Sequence, residues 1–305
     1  MKLPKNVFGP LLIILFIADL ACIKTEPPTA IPNTLQQVAV APLPQHLNFN
    51  CTYSPDYGDS IVYLQPNGNN DYVIMPVNAD SLGKGTYLAW PAGLIIDSST
   101  GAINLSQSET GLRYVVGFVK QGTKDTCLKN LVVAGITYVD SMYVLSNNDT
   151  LAAPLFNANA AVPPVCDPSD NTDYPGINGN GHGNNKCVFD GMGKNGKSGQ
   201  ANAQKVKVRT ISGSINLKET YTGGAFGSNP VDGASVTVPV YYNLNDKSKK
   251  ATQLINVQLV YYSHLSAVPD SLVNAVRANR AAFYQNVPLF SLKPRPPVIV
   301  VIHYF

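Results

Sequence analysis

Trp90-Pro91-Ala92-Gly93-Leu94-Ile95-Ile96-Asp97-Ser98-Ser99-Thr100-Gly101-Ala102-Ile103 carries more fold information than any other stretch of this 305-residue chain. Leu94 and Ile96 stand at alternate positions before a polar break and Ile103 stands after it, the period that sends strand side chains to one face. The break itself has turn chemistry. Asp97 is a short carboxylate able to accept from the backbone just downstream, and Gly101 is free to take positive φ. The stretch reads as strand, tight turn, strand, with Asp97 serving the turn.

Working outward, short apolar runs at 61–64, 71–75, 112–119, 128–134 and 142–145 are separated by Asn67-Gly68, Pro91-Ala92-Gly93 and Thr100-Gly101. Regularly spaced short strands with such turns are the pattern of an all-β sandwich. No amphipathic helix of useful length is expected among them. Together with Ser108-Glu109-Thr110-Gly111 and Tyr114-Val115-Val116-Gly117-Phe118, the opening stretch resembles the signature of the immunoglobulin-like and cadherin-like modules of bacterial surface proteins, approximately Pro-x-Gly-Leu-x-Ile-Asp-x-x-Thr-Gly-x-Ile. Residues 90–118 carry the resemblance. It implies an immunoglobulin-like β-sandwich over 47–146 and is silent on ligand, since fold does not dictate function. The Asp-Arg-Glu and Asp-x-Asn-Asp elements with which cadherins hold calcium are missing, so Asp97 is read as structural.

Upstream, Lys2 and Lys5 precede an apolar run at 11–17 and then Asp19-Leu20-Ala21-Cys22, a secretory pattern. A spanning helix needs about 20 apolar residues, and Gly9, Pro10 and Asp19 bound this run too tightly. Leu20-Ala21-Cys22 resembles the lipobox of bacterial lipoproteins, with Asp19 departing from it; the plainer alternative is ordinary cleavage near Ala21. The resemblance implies a lipoprotein signal peptide over 1–22 and diacylglycerol on Cys22. Taken as a whole the chain resembles the two-domain lipoproteins of Bacteroidota-type envelopes, which implies anchoring at the outer membrane with the periplasmic or surface face left open. Each buried acyl methylene adds about 0.8 kcal/mol of membrane affinity. Residues 23–46, with five prolines between 24 and 44, read as a flexible tether.

Charged residues are 13 % of the chain and its formal charge is +3, before loss of Lys2 and Lys5. No basic field remains to attract nucleic acid, which is excluded as a partner. Apart from Cys22, four cysteines remain of the five, an even number suited to an oxidising compartment. Proximity pairs Cys51 with Cys127 and Cys166 with Cys187. Structural zinc needs closer ligand spacing and is rejected.

Residues 147–204, rich in Asn, Gly, Pro and Asp, read as an irregular linker closed by the second disulfide. Asp167, Asp170 and Asp173, with Asn171, offer oxygens of the kind calcium takes, but without EF-hand spacing. They form a weak calcium site whose first reading is a polar loop, and His182 falls in the same loop. From 205 the pattern becomes regular. Strands are expected around Val206 to Leu217 and at 236–242, 254–262 and 298–302. A helix is expected from Pro269-Asp270-Ser271 to Tyr284, with Leu272, Val276 and Phe283 as its buried stripe. The chain is thus mainly β, a sandwich followed by a small α+β domain with one helix over 205–305.

No Gly-x-Ser-x-Gly, His-Glu-x-x-His or phosphate loop occurs. His46, His182, His264 and His303 are scattered, and Glu109 and Glu219, two of the three glutamates, sit in turn contexts. Neither catalysis nor a cofactor is expected. Two functional classes remain. The first is a noncatalytic cell-envelope lipoprotein acting as a scaffold or interaction module towards other envelope proteins. The second is a glycan-binding surface lipoprotein that stacks sugars on Tyr53, Tyr57, Tyr63, Tyr72, Tyr87 and Trp90, unless those rings fill the sandwich core.

Overall fold

Strands covered on both faces carry apolar residues at successive positions rather than alternate ones, and the central strands of both large sheets here are of that kind. The computed structural model describes residues 46–168, 187–191, 199–285 and 296–305. These residues belong to one compact unit, Val38–Phe305, and the fold is mainly β. The expected signal peptide, Cys22 and all of the expected tether but His46 lie outside the described residues.

The first half contains β1 (Leu47–Asn48), β2 (Ile61–Val62), β3 (Val73–Ile74), the single turn α1 (Ala79–Leu82), β4 (Gly85–Trp90), β5 (Ile103–Asn104), β6 (Leu112–Lys120) and β7 (Thr126–Val133). β4, β6 and β7 pair antiparallel in that order, and β1 and β2 both run parallel along the free edge of β7, at its two ends. β3 and β5 form a separate antiparallel pair. It covers one face of the sheet: Ile74, Ile103 and Leu105 pack with Val62, Tyr114, Val116, Leu131 and Val133. The opposite face holds Trp90, Val115 and Leu128. Gly117 makes that packing feasible, because a Cβ there would lie 3.0 Å from the Trp90 ring and 3.0 Å from Thr126 Cγ2.

β4 has no counterpart among the sequence-derived strands. Its Tyr87, Leu88, Ala89 and Trp90 are all buried or half-buried, so the polar alternation that announces a half-exposed strand is lost.

The second half contains β8 (Ile136–Thr137), β9 (Ser141–Val144), β10 (Leu151–Ala152), β11 (Leu155–Phe156), β12 (Val188–Phe189), α2 (Gln200–Ala203), β13 (Ile215–Asn216), α3 (Leu217–Thr222), β14 (Ser235–Asn243), β15 (Gln253–His264), α4 (Asp270–Tyr284) and β16 (Val298–Tyr304). The main sheet has the order β12-β14-β15-β16-β9, antiparallel as far as β15 and parallel beyond it. Parallel neighbours need a long crossover, and α4 lies in the one between β15 and β16. Its Leu272, Val273 and Val276 cover Val260, Tyr262, Val300 and Ile302 on one face, while Phe283 of the expected stripe instead meets Arg113. On the other face Val238, Val240, Val257, Leu259, Ile299 and Val301 are buried in the largest core, each such side chain contributing roughly 1.5–3 kcal/mol.

Two short helices went unforeseen. α3 starts where a strand was expected to end, because Asn216 caps it: the Asn216 side chain accepts from Glu219 N (3.0 Å) and donates to Glu219 Oε1 (2.7 Å). This reciprocal arrangement is legible as Asn-x-x-Glu. α2 is capped by the buried Asp190, whose carboxylate accepts from Ala201 N (3.0 Å) and Asn202 N (2.8 Å). Between them, residues 206–211 make only an isolated bridge, Val208 to Ile215.

Boundaries at 146/147 and 204/205 do not coincide with breaks in the packing. β9, from the first segment, is the edge strand of the second sheet. β11 and β12, from the supposed linker, pair with β8 and β14, and Phe156, Cys166, Cys187 and Phe189 enter the main core. Tyr242 on β14 seals the junction. Its hydroxyl lies 2.5 Å from Thr110 Oγ1, accepts from Ile136 N (3.2 Å) and donates to Gln253 Oε1 (3.2 Å). Arg113 on β6 reaches across to the Phe283 carbonyl and ring. Buried polar groups of this kind must find partners, and here the partners come from both halves.

Candidate ligand-contacting site

The parallel register of β15 and β16 sets Tyr261 opposite Val301 and His264 opposite Tyr304. Tyr261 lies in the large core, and His303, two positions beyond Val301 on β16, shares that face because strand side chains alternate. The capped helix α3 then lays Tyr221 against both core-side residues. It is stacked on Tyr261 with centroids 5.4 Å apart and planes 10° from parallel, and it lies 4.6 Å from the His303 ring. The Tyr221 hydroxyl is 3.4 Å from His303 Nδ1.

These contacts extend in both directions. Phe226, on the glycine-rich loop after α3, packs 5.7 Å from Tyr261, while Tyr304 lies 3.9 Å from His303 and 5.6 Å from His264. Six rings thus form a continuous strip: Phe226, Tyr261, Tyr221, His303, Tyr304 and His264. Phe226 and Tyr261 are buried, Tyr221 and His303 half-buried, His264 exposed, and Tyr304 is 50 % exposed. Except for His303 and Tyr304 at 3.9 Å, the neighbouring rings stand within the 4.5–7 Å range favourable for aromatic pairs.

Asp232 flanks the strip. Its carboxylate accepts from the backbone N–H and the hydroxyl of Ser263 on β15. Burial, then the neighbouring Tyr221 phenol and the Asp232 charge, push the Tyr261 hydroxyl up to about 12. It stays protonated at neutral pH, hydrogen-bonded to the Tyr221 hydroxyl. The strip therefore combines ring faces with phenols, imidazole nitrogens and a carboxylate.

The aromatics singled out by sequence have other duties. Trp90, Tyr87 and Tyr57 are buried; Tyr87 packs 4.8 Å from Phe118, and the Tyr57 hydroxyl donates to Gly101 O (2.7 Å). Tyr63 and Tyr72 are half-buried, and Tyr53 is exposed beneath Lys120 Nζ at 3.9 Å. They make no exposed row.

Asp97 serves its turn. Its Oδ1 accepts from Ser99 N (2.9 Å), Ser99 Oγ (2.6 Å), Thr100 N (2.7 Å) and Thr100 Oγ1 (2.9 Å), which lowers its pKa to about 2. Gly101 has φ +73° and packs against the Tyr87 ring.

Cys51 is bonded to Cys127 and Cys166 to Cys187. Asp167 is described, but Asp170, Asp173 and His182 lie outside the described residues. Among the described residues no three of His, Cys, Asp and Glu gather as a metal-binding group, and no helix is long and apolar enough to cross a membrane. The His46 carbonyl accepts from Thr126 N (2.9 Å). Glu219 is held by Asn216 and lies 3.6 Å from Arg209. Glu109 stands on the loop before β6, where partial burial pushes its carboxyl up to about 7 although its outer surface meets water.

Tyr221, His303 and Tyr304 went unnoticed as a site in the sequence. The one local signal is the similarity of Tyr261-Tyr262-Ser263-His264 and His303-Tyr304, aromatic and imidazole groups near two strand ends, which means nothing until those strands are known to be neighbours. No protein-family model matches the chain, and no characterised protein is similar enough to it to count as a relative.

Proposed function

We propose that this chain is a noncatalytic cell-envelope lipoprotein that works as an interaction module, meeting its partner with the aromatic strip at the ends of β15 and β16. The observation that supports it most is the grading of that strip from the core into solvent. Rings anchored by buried rings form a preorganised surface, and preorganisation lowers the entropic cost of binding. Aromatic residues are also the side chains most enriched among binding hot spots. The Leu20-Ala21-Cys22 motif and the two disulfides support an exported, lipid-held protein, and the immunoglobulin-like signature at 90–118 supports a surface-module ancestry.

The test is saturable binding of the purified full chain, in detergent, to isolated envelope material, compared with Tyr304→Ala. The reading expects saturable binding that Tyr304→Ala reduces about tenfold, a typical hot-spot loss. Binding that does not saturate, or that is indifferent to Tyr304, would refute it.

A further inference from the structure

Resting on that reading of the strip as a binding surface, we propose that its ligand is a neutral glycan, stacked on Tyr304 and His264 and hydrogen-bonded by the groups at their edges. The argument is one of complementarity. An aromatic face is electron-rich and attracts the weakly positive C–H patches on one side of a pyranose ring. The remaining sugar valences are hydroxyls, which need donors and acceptors within reach.

Around the exposed rings these are supplied by the Tyr304 and Tyr221 phenols, the two imidazoles and the Asp232 carboxylate. The Tyr221 hydroxyl and His303 Nδ1 sit 3.4 Å apart, a long contact.

Other occupants fit less well. A purely apolar helix laid on the strip would strip water from phenols, imidazoles and a carboxylate and return no hydrogen bonds, a cost that buried polar groups do not tolerate. An anionic ligand would meet Asp232, whose charge already acts on the Tyr261 and Tyr262 hydroxyls. A cation held over the rings would want a cage of aromatic faces, whereas only His264 and Tyr304 are exposed here, with centroids 5.6 Å apart and planes 30° from parallel. A sugar residue needs only such an open ring face with polar groups beside it.

The strip differs from the stacking platform expected in the first half of the chain. None of its six rings belongs to that set, three of which, Tyr57, Tyr87 and Trp90, are in the core.

Full-length protein in detergent is applied to immobilised neutral oligosaccharides built on glucose, mannose or galactose and to their uronate-bearing counterparts, and affinity for the best hit is measured by titration. Wild type is compared with Tyr304→Ala, Tyr304→Phe and Tyr53→Ala. Tyr304 is half exposed, so its variants fold, which circular dichroism checks.

The expected result is binding of a neutral glycan that weakens about tenfold in Tyr304→Ala. It should stay within about threefold in Tyr304→Phe, which keeps the ring, and be unchanged in Tyr53→Ala. The proposal is overturned by no glycan binding, by preference for the uronate series, or by a Tyr304→Ala protein that binds as wild type does. If envelope binding persists and depends on Tyr304 while no glycan binds, the interaction surface stands and the glycan assignment falls. If Tyr304→Ala alters neither, both fall.

Discussion

The two halves of this molecule draw on the same aromatic stock and use it in opposite ways. Around β4, β6 and β7 the large rings turn inward: Trp90, Tyr87, Tyr114 and Phe118 are all buried, and the surface is left to turns such as Asp97 to Gly101. Around β15 and β16 the rings begin in the core and run out of it, from Phe226 to Tyr304. The difference lies in what covers each ring. Trp90 sits over Gly117 in a closed layer, while His264 and Tyr304 are placed past the last residues that α4 shields. A tyrosine is therefore core or surface according to its neighbour in register, and composition cannot distinguish the two.

That contrast can be broken in several ways. The largest effect is expected from the staple of the first half. Cys51 and Cys127 close a sequence separation of 76 residues, so replacing both by Ser should cost on the order of 4 kcal/mol by the loop-entropy account. Loss of the Cys166–Cys187 bond, with a separation of 21, should cost on the order of 3 kcal/mol. Urea unfolding under oxidising conditions measures both. A smaller loss for the first pair than for the second would show that the first layer retains its order without the staple.

Next comes the junction. Tyr242→Phe leaves Thr110, the Ile136 N–H and Gln253 short of a partner in the interior, and should cost about 2–3 kcal/mol. Wild type should unfold in a single transition followed equally by Trp90 fluorescence, which reports the first half, and by far-ultraviolet circular dichroism. Two separated transitions would mean that the halves are independent bodies.

A weaker, pH-dependent effect belongs to the Asp97 turn. Its folded pKa of about 2 lies below the ordinary value of about 3.9, so the unfolded chain binds the proton more readily. The contribution is complete above about pH 4 and is lost as pH falls towards 2. Asp97→Asn should flatten that part of the melting curve against pH. An unchanged acid profile would dissociate the turn from stability.

Smallest of all should be Tyr304→Ala in the absence of ligand, within about 0.5 kcal/mol of wild type. Thermal melting checks it. A drop of several degrees would show that the strip serves the fold rather than a ligand.

Much of the first half was legible because its information is local. Asp97, Thr100 and Gly101 make their turn with residues a few positions away, and β6 and β7 announce themselves by runs of apolar residues. β4 was hidden by its burial on both faces, and α3 by a cap, Asn216 with Glu219, whose sequence pattern was present but passed over. The continuity of the body across 147–204 was not legible either, because Phe156 and Phe189 look like isolated apolar residues in a polar stretch until β8 and β14 are placed beside them.

By itself the sequence determined the mainly β character, the turn at Asp97 to Gly101, the pairing of nearby cysteines and the long helix from Asp270. These follow from short-range stereochemistry and from side-chain periodicity. Only the tertiary structure decided that Tyr242 joins the two halves and that β15 and β16 lie parallel in the register that brings His264 to Tyr304 and, through α3, Tyr221 to His303. Parallel pairing depends on a crossover through α4 and on packing across the 33 residues between the end of β15 at His264 and the start of β16 at Val298. No local pattern encodes which strand ends will meet.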